Sequence, residues 1–257
     1  ILGCELYMAI ESYRNRGPAE KSPYHLTVLA KDNTGYRNLL RLVTKANLEG
    51  FYYKPRVDKE LLAEYRDGLV ILSGCPNGEI PRLILEGRLE EAKATTHWYR
   101  ETFQDFYLEI QRHGNLPELD TINSALLQLH VEADIPIVAC NDSHYVDQKD
   151  APLQDILICI HTNTTIHNDK RLKMSDDSLY LKSSHEMEEL FADLPEAMEN
   201  TQRIANMCNV ELDFSTVHLP QYHIPGSESA DYYLSRLCWE GLQQRFPKLT
   251  PELEQRL

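Results

Sequence analysis

Two short runs of apolar residues, Leu69-Val70-Ile71-Leu72 and Ile135-Pro136-Ile137-Val138-Ala139-Cys140, constrain the fold of this chain more than any other feature. A strand with one wet face alternates apolar and polar residues. An uninterrupted run has no wet face and has to be covered on both sides. Around these runs lie stretches of helical periodicity. Tyr36, Leu39, Leu40, Val43 and Ala46 share one helical face behind the N-cap candidates Asp32-Asn33-Thr34, with Gly50 near the stop. Asp58 caps a short helix over 59–66, which Asp67-Gly68 closes. Further helices are predicted at 79–86 and 89–102. Another begins at Pro117, with Leu119, Ile122, Leu126 and Leu129 as its stripe. Strands are predicted over 1–8, 25–30 and 106–110. Parallel-type strands alternating with helices point to a right-handed α/β layer or barrel.

Beyond Ala151 helices dominate, at 151–161, 184–191 and 195–208, with a short strand at 179–182. Ser183 and Glu186 have the spacing of a capping box. Residues 216–229, with Pro220, Pro225 and Gly226, read as a linker to an amphipathic helix over 230–246. His161, His167, His218 and His223 lie in polar or loop contexts without partner spacing. The chain opens at Ile1 inside its first strand, with no cap or turn before it, as an excised piece would.

The 257 residues are 42% hydrophobic and 26% charged, enough for a sizeable core in a soluble protein. No apolar run reaches the ~18 residues of a membrane-spanning helix, and no secretory leader opens the chain. A cytoplasmic protein without a membrane partner is the expectation. Cys4, Cys75, Cys140, Cys159, Cys208 and Cys238 are scattered without CxxC pairs, and are expected as reduced, mostly buried thiols. The formal charge of −14 argues against a freestanding nucleic-acid binder. In that acidic context the pairs Tyr52-Tyr53 and Trp98-Tyr99 read as packing residues rather than base-stacking platforms.

In α/β folds, reactive side chains gather at the carboxyl ends of strands, because the loops there open on one face. The run ending at Cys140 leads into Asn141-Asp142-Ser143-His144, which sets a carboxylate and an imidazole on one side of an extended segment. The run ending at Leu72 delivers Cys75. Glu5 lies within the first strand, His25 begins the second, and His113 follows the strand at 106–110. Carboxylates, imidazoles and a thiol on one rim suit a divalent ion such as zinc or manganese, and hence a metal hydrolase. Gly74-Cys75-Pro76-Asn77-Gly78 lacks the Gly-Lys-Ser/Thr of a phosphate loop.

Several segments resemble the polymerase-and-histidinol-phosphatase (PHP) domain of bacterial DNA polymerase III alpha subunits. They are Gly3-Cys4-Glu5-Leu6-Tyr7, His25 to Ala30, Asn33 to Leu39, Gly68 to Cys75, Glu109 to Gly114 and Asn141 to Val146. Glu188 to Asn209 and the stretch Tyr232 to Arg245 are similar to later parts of that subunit. The resemblance implies an α/β fold, a distorted (β/α)7 barrel of PHP type truncated at its N-terminus, with a helical C-terminal extension. It divides the chain into a PHP domain over 1–214, a linker over 215–229 and the start of a polymerase region over 230–257. It assigns Glu5, His25, Cys75, Asp142 and His144 to metal-ligand positions, with His113 as an outer or substrate-orienting residue.

It further implies a parent DNA-directed DNA polymerase that acts on DNA and deoxynucleotides beside a proofreading exonuclease and a sliding clamp. Zinc or manganese would serve 3′-to-5′ phosphodiester hydrolysis here, and magnesium a polymerase site beyond Leu257. The family's opening His-x-His, a carboxylate and a further histidine would lie before Ile1. The chain alone is therefore expected to be inactive, to bind metal weakly and to expose an unpaired edge at its first strand. The alternatives are an inert PHP scaffold that supports the polymerase or docks an exonuclease, and a freestanding PHP-type phosphoesterase.

Overall fold

The computed structural model describes residues 1–114, 116–174, 177–217, 219–246 and 248–257, so His218 lies outside the described residues. The chain divides into two compact units, Ile1–Glu211 and Leu212–Leu257. The first runs β1 (Leu2–Met8), β2 (Tyr24–Ala30), α1 (Asn33–Leu48), β3 (Phe51–Tyr52), β4 (Lys54–Val57), α2 (Lys59–Glu64), β5 (Leu69–Leu72), α3 (Glu79–Leu85), α4 (Leu89–Thr102), β6 (Asp105–Gln111), α5 (Pro117–Ala133) and β7 (Ile137–Cys140). It continues with α6 (Ala151–His161), α7 (Ser184–Leu190) and α8 (Pro195–Met207). The second holds α9 (Ala230–Arg245) and α10 (Pro251–Gln255).

Seven strands make one sheet in the order β3-β4-β1-β2-β5-β6-β7. All four residues of β5 are buried, as an unbroken apolar run demands. Helix faces cover it: Leu42, Leu62, Ile71, Leu108 and Leu126 are fully buried in one cluster. The mixed α/β sheet with its helices agrees with a PHP-type barrel-like fold.

Strand direction departs from the all-parallel expectation. β5, β6 and β7 are parallel, but β2 is antiparallel to both β1 and β5. The β1–β2 connection explains this, since it holds a single 3-10 turn at Pro18–Lys21 and no α-helix to carry a crossover. β1 is the open edge expected only over Leu2–Leu6. Its Tyr7 and Met8 pair with Arg56 and Val57 of β4, a strand that Pro55 hid in the sequence. The strand expected at 179–182 is reduced to one bridge, Tyr145 to Tyr180.

Local signals set the helix ends. The Asp32 carboxylate accepts from the Thr34 and Gly35 amides, and the Ser183–Glu186 capping box forms as its spacing predicts. Gly35 is required by contact: a Cβ there would lie 1.8 Å from the Gly68 carbonyl oxygen, where α1 meets the turn into β5.

The β1–β2 connection is organised by a buried ion pair. Arg56, with no exposed side-chain surface, donates to Glu20 at 2.8 Å and to the carbonyls of Gly50, Tyr13 and Asn15. Glu20 also accepts from the backbone amides of Ile10, Glu11 and Ser12.

In the second unit, Ser229 caps α9, no residue of which is buried. The described residues of 216–229 form no helix or strand. Among the described residues no cysteine is in a disulfide, but only Cys75 and Cys159 are buried and Cys238 is exposed, so "mostly buried" fails. No helix among them is long and apolar enough to cross a membrane.

Candidate metal centre

The reversal of β2 decides where His25 sits. Because β2 runs against β1 and β5, its first residues lie beside the last residues of both: Tyr7 pairs with His25, and Leu72 with Thr27. A histidine at the start of a strand thereby reaches the carboxyl-end rim. Glu5 and Tyr7 share a face of β1, and His25 and Thr27 the matching face of β2, because side chains alternate along strands.

The turn after β5 brings Cys75 to the same place. Gly74, at φ +86°, passes so close to β2 that a Cβ would lie 2.8 Å from the His25 carbonyl oxygen. The His25 amide donates to the Asn77 carbonyl at 3.0 Å, and the Gly78 amide to that of Cys75 at 2.7 Å. These bonds fix the thiol against the imidazole. His25 Nδ1 is 2.6 Å from Glu5 Oε1 and 3.4 Å from Cys75 Sγ. The ligand atoms of Glu5, His25 and Cys75 all lie within 4.8 Å of one another.

Asp142 and His144 form a neighbouring pair, Oδ1 to Nε2 at 3.5 Å, outside that triad. The segment is not extended as expected: Asp142 has φ +49°, a left-handed conformation that Asp tolerates better than most residues. Backbone bonds hold it, the His144 amide donating to the Leu179 carbonyl at 2.8 Å. The His144 hydrogen bond holds the Asp142 carboxyl below its usual range, and Asp142 raises His144 in return. The charges of His113 and His25 also lower Asp142, and those of Asp142 and Glu5 act on Cys75, so one electrostatic neighbourhood spans all these groups. Burial pushes the Cys75 thiol up to about 12.

One member of this neighbourhood was passed over in the sequence. Glu109 stands in the middle of β6, wholly inside the protein, accepting from Gln111 at 2.5 Å and from Thr27 at 3.3 Å. Burial raises its carboxyl to about 7, with the Asp142 charge adding to the rise. Its signal was a carboxylate between Leu108 and Ile110 in a strand with no wet face, which needs a reason to be there. Gln111 links onward: its Oε1 lies 3.1 Å from His113 Nε2. His113 is buried and lines a cavity of about 710 Å³ together with Gln111, Arg112 and Asn123.

The chemistry of the triad fits a divalent cation: oxygen, nitrogen and sulfur donors converge from three elements, and a half-exposed Glu5 leaves the point open to solvent.

Comparison with known proteins agrees with the fold. The family model of the PHP domain matches residues 1–113. Over its whole length the chain is 45% identical to the DNA polymerase III subunit alpha of Borreliella burgdorferi and 44% identical to that of Treponema pallidum. Over 96% of its length it is 41% identical to the same subunit of Thermus aquaticus. The chain spans 23%, 22% and 21% of those three proteins. Residues 1–113 thus match the PHP domain family, within a chain that is similar from end to end to part of DNA polymerase III alpha subunits.

Proposed function

We propose that this chain is the PHP portion of a replicative DNA polymerase. Residues 1–214 would form the PHP domain, 215–229 a linker and 230–257 the start of the polymerase region. The domain's own activity is 3′-to-5′ phosphodiester hydrolysis, with divalent ions held by Glu5, His25, Cys75, Asp142 and His144. One observation carries this reading: three donors from β1, β2 and the turn after β5 lie within 4.8 Å of one another.

Bound zinc or manganese would lower the pKa of a water and offset the negative charge that develops on the phosphodiester. The protein's part is to hold the donors and position the substrate. Glu5 and Asp142 bring anionic charge. Cys75 enters as a thiol and has to give up its proton to bind, which ties affinity to pH. The Gln111 side chain orients the His113 ring beside the cavity, where it can meet substrate. The whole protein would be cytoplasmic, act on DNA and deoxynucleotides with magnesium at its polymerase site, and work beside a proofreading exonuclease and a sliding clamp.

The test uses the full-length protein, wild type against Asp142→Ala, with metal content and 3′-to-5′ hydrolysis of DNA as readouts. The expected result is bound metal in the wild type and loss of hydrolysis in the variant. Absence of metal, with hydrolysis unchanged by the substitution, would sink the reading. A scaffold role is the second reading, favoured by the Asp142–His144 pair being engaged with itself. That same result would establish it.

A further inference from the structure

A trail of cations and tyrosines, exposed at Arg16, Lys21 and Tyr53 and half-buried at Lys54, Tyr52 and Tyr7, leads across the surface to the metal centre. Tyr53 forms the turn of the β3–β4 hairpin, between the paired residues Tyr52 and Lys54, and is 62% exposed. Its φ of +61° is one that a bulky side chain rarely adopts and that Gly would fill without strain. The contacts then run on. The Arg16 guanidinium lies over the Tyr52 ring at 6.0 Å, and the Tyr52 and Tyr53 rings meet edge to face at 4.8 Å. Lys21 Nζ lies 5.0 Å from the Tyr53 ring centre. Lys54 Nζ lies 5.3 Å from that of Tyr7, whose ring meets the His25 ring at 5.2 Å.

In a chain of net charge −14 these cations stand out, because none of Arg16, Lys21 and Lys54 is in an ion pair among the described residues, although the Arg16 guanidinium donates to the carbonyls of Tyr13, Arg14, Asn15 and Glu49. Two acids of the same region are occupied. Glu20 is buried on Arg56, and Glu49 pairs with Lys45 and accepts from the Tyr13 hydroxyl. The acidic composition hid a local basic surface, assembled from residues far apart in sequence.

We propose that Arg16, Lys21, Tyr53 and Lys54, with Tyr7 at the inner end, form a track that binds single-stranded polynucleotide and leads it to the Glu5–His25–Cys75 centre. Cations that follow a backbone, alternating with exposed rings on which bases stack, are what sequence-independent recognition of a single strand requires. An acidic peptide would meet the same cations but would leave the Tyr53 ring without a partner. The proposal rests on the hydrolytic reading for its purpose, but binding can be measured apart from hydrolysis.

The experiment titrates a short fluorescent oligothymidylate into the full chain with chelator present, following anisotropy at several salt concentrations. Binding is expected, with log affinity falling against log salt at a slope of about −2 for three phosphate contacts. Tyr53→Gly, which suits the turn, should weaken binding at least about fivefold, and Tyr53→Phe should preserve it. Combined Lys21→Glu and Lys54→Glu should abolish it. Urea unfolding of each variant verifies the fold, and a Lys54→Gln chain replaces the double variant if that one fails to fold. The proposal falls if the wild type does not bind at low salt, or if Tyr53→Gly and the lysine variants bind as it does. It also falls if polyglutamate displaces the oligonucleotide as effectively as unlabelled oligothymidylate. Binding without hydrolysis by the full-length protein would keep the track and remove the nuclease; metal uptake and hydrolysis without the track's contribution would do the reverse.

Discussion

Arg56 and His25 stand on the two strands that flank β1, and each contacts a carboxylate, yet the two contacts do opposite work. Arg56 and Glu20 have side chains 0% and 3% exposed, and backbone groups satisfy what the pair leaves over. His25 and Glu5 are 25% and 50% exposed, share one nitrogen with a thiol and have donor capacity to spare. A buried charge whose partners are complete holds structure. Converging donors left open to solvent are available to a ligand, and the difference lies in what surrounds each pair.

The strongest way to break this contrast is Arg56→Met. It leaves Glu20 buried without its cation, and stability should fall by about 3–5 kcal/mol in urea unfolding. A loss below 1 kcal/mol would mean that the backbone amides alone sustain Glu20.

Glu109 lies between the two cases, buried like Glu20 but short of a cation. Its folded-state pKa, raised from 4.5 to about 7, penalises ionisation within the fold. In metal-free protein this carboxyl should therefore be neutral in effect below pH 4.5. Stability should then drop by up to about 3 kcal/mol as pH rises to 7 and stay flat above. Glu109→Gln should remove that drop, as pH-dependent unfolding of both chains would reveal; identical profiles would refute the assignment.

Glu5→Gln should change stability least, within about 0.5 kcal/mol, since its side chain is half exposed. In the full-length protein it should nonetheless lower metal affinity by more than the roughly 10- to 100-fold that loss of an outer partner produces. Calorimetry of both quantities tests this. A large stability loss with metal affinity intact would reverse the roles of the two pairs.

What could be read in the chain followed from how local the cause was. The limits of α4, the Asp32 cap and the Ser183–Glu186 box depend on neighbouring residues, and all three appear as predicted. So does the burial of β5, which composition alone dictates. The direction of β2 has no local signature, because an alternating strand reads the same either way. Arg56 and Glu20, and the cations around Tyr53, are joined only by folding, which is why the paired tyrosines looked like packing residues. The sequence places Glu5 within one strand, His25 at the start of another and Cys75 just after a third, and the three do meet, whereas Glu109 reads as one more residue in a strand.

The antiparallel pairing of β1 with β2 has a consequence in time as well as in space. Glu5 and His25 belong to strands joined by one modest loop, so bringing them together closes less chain than any of the parallel pairings among β5, β6 and β7. On that ordering, two of the five donors of the proposed set come together before β5 and β7 arrive. Cys75 joins when β5 docks, and Asp142 and His144 come last, behind β7. On the proposed donor set, a divalent ion present during folding would meet two donors early and the other three as the sheet is completed.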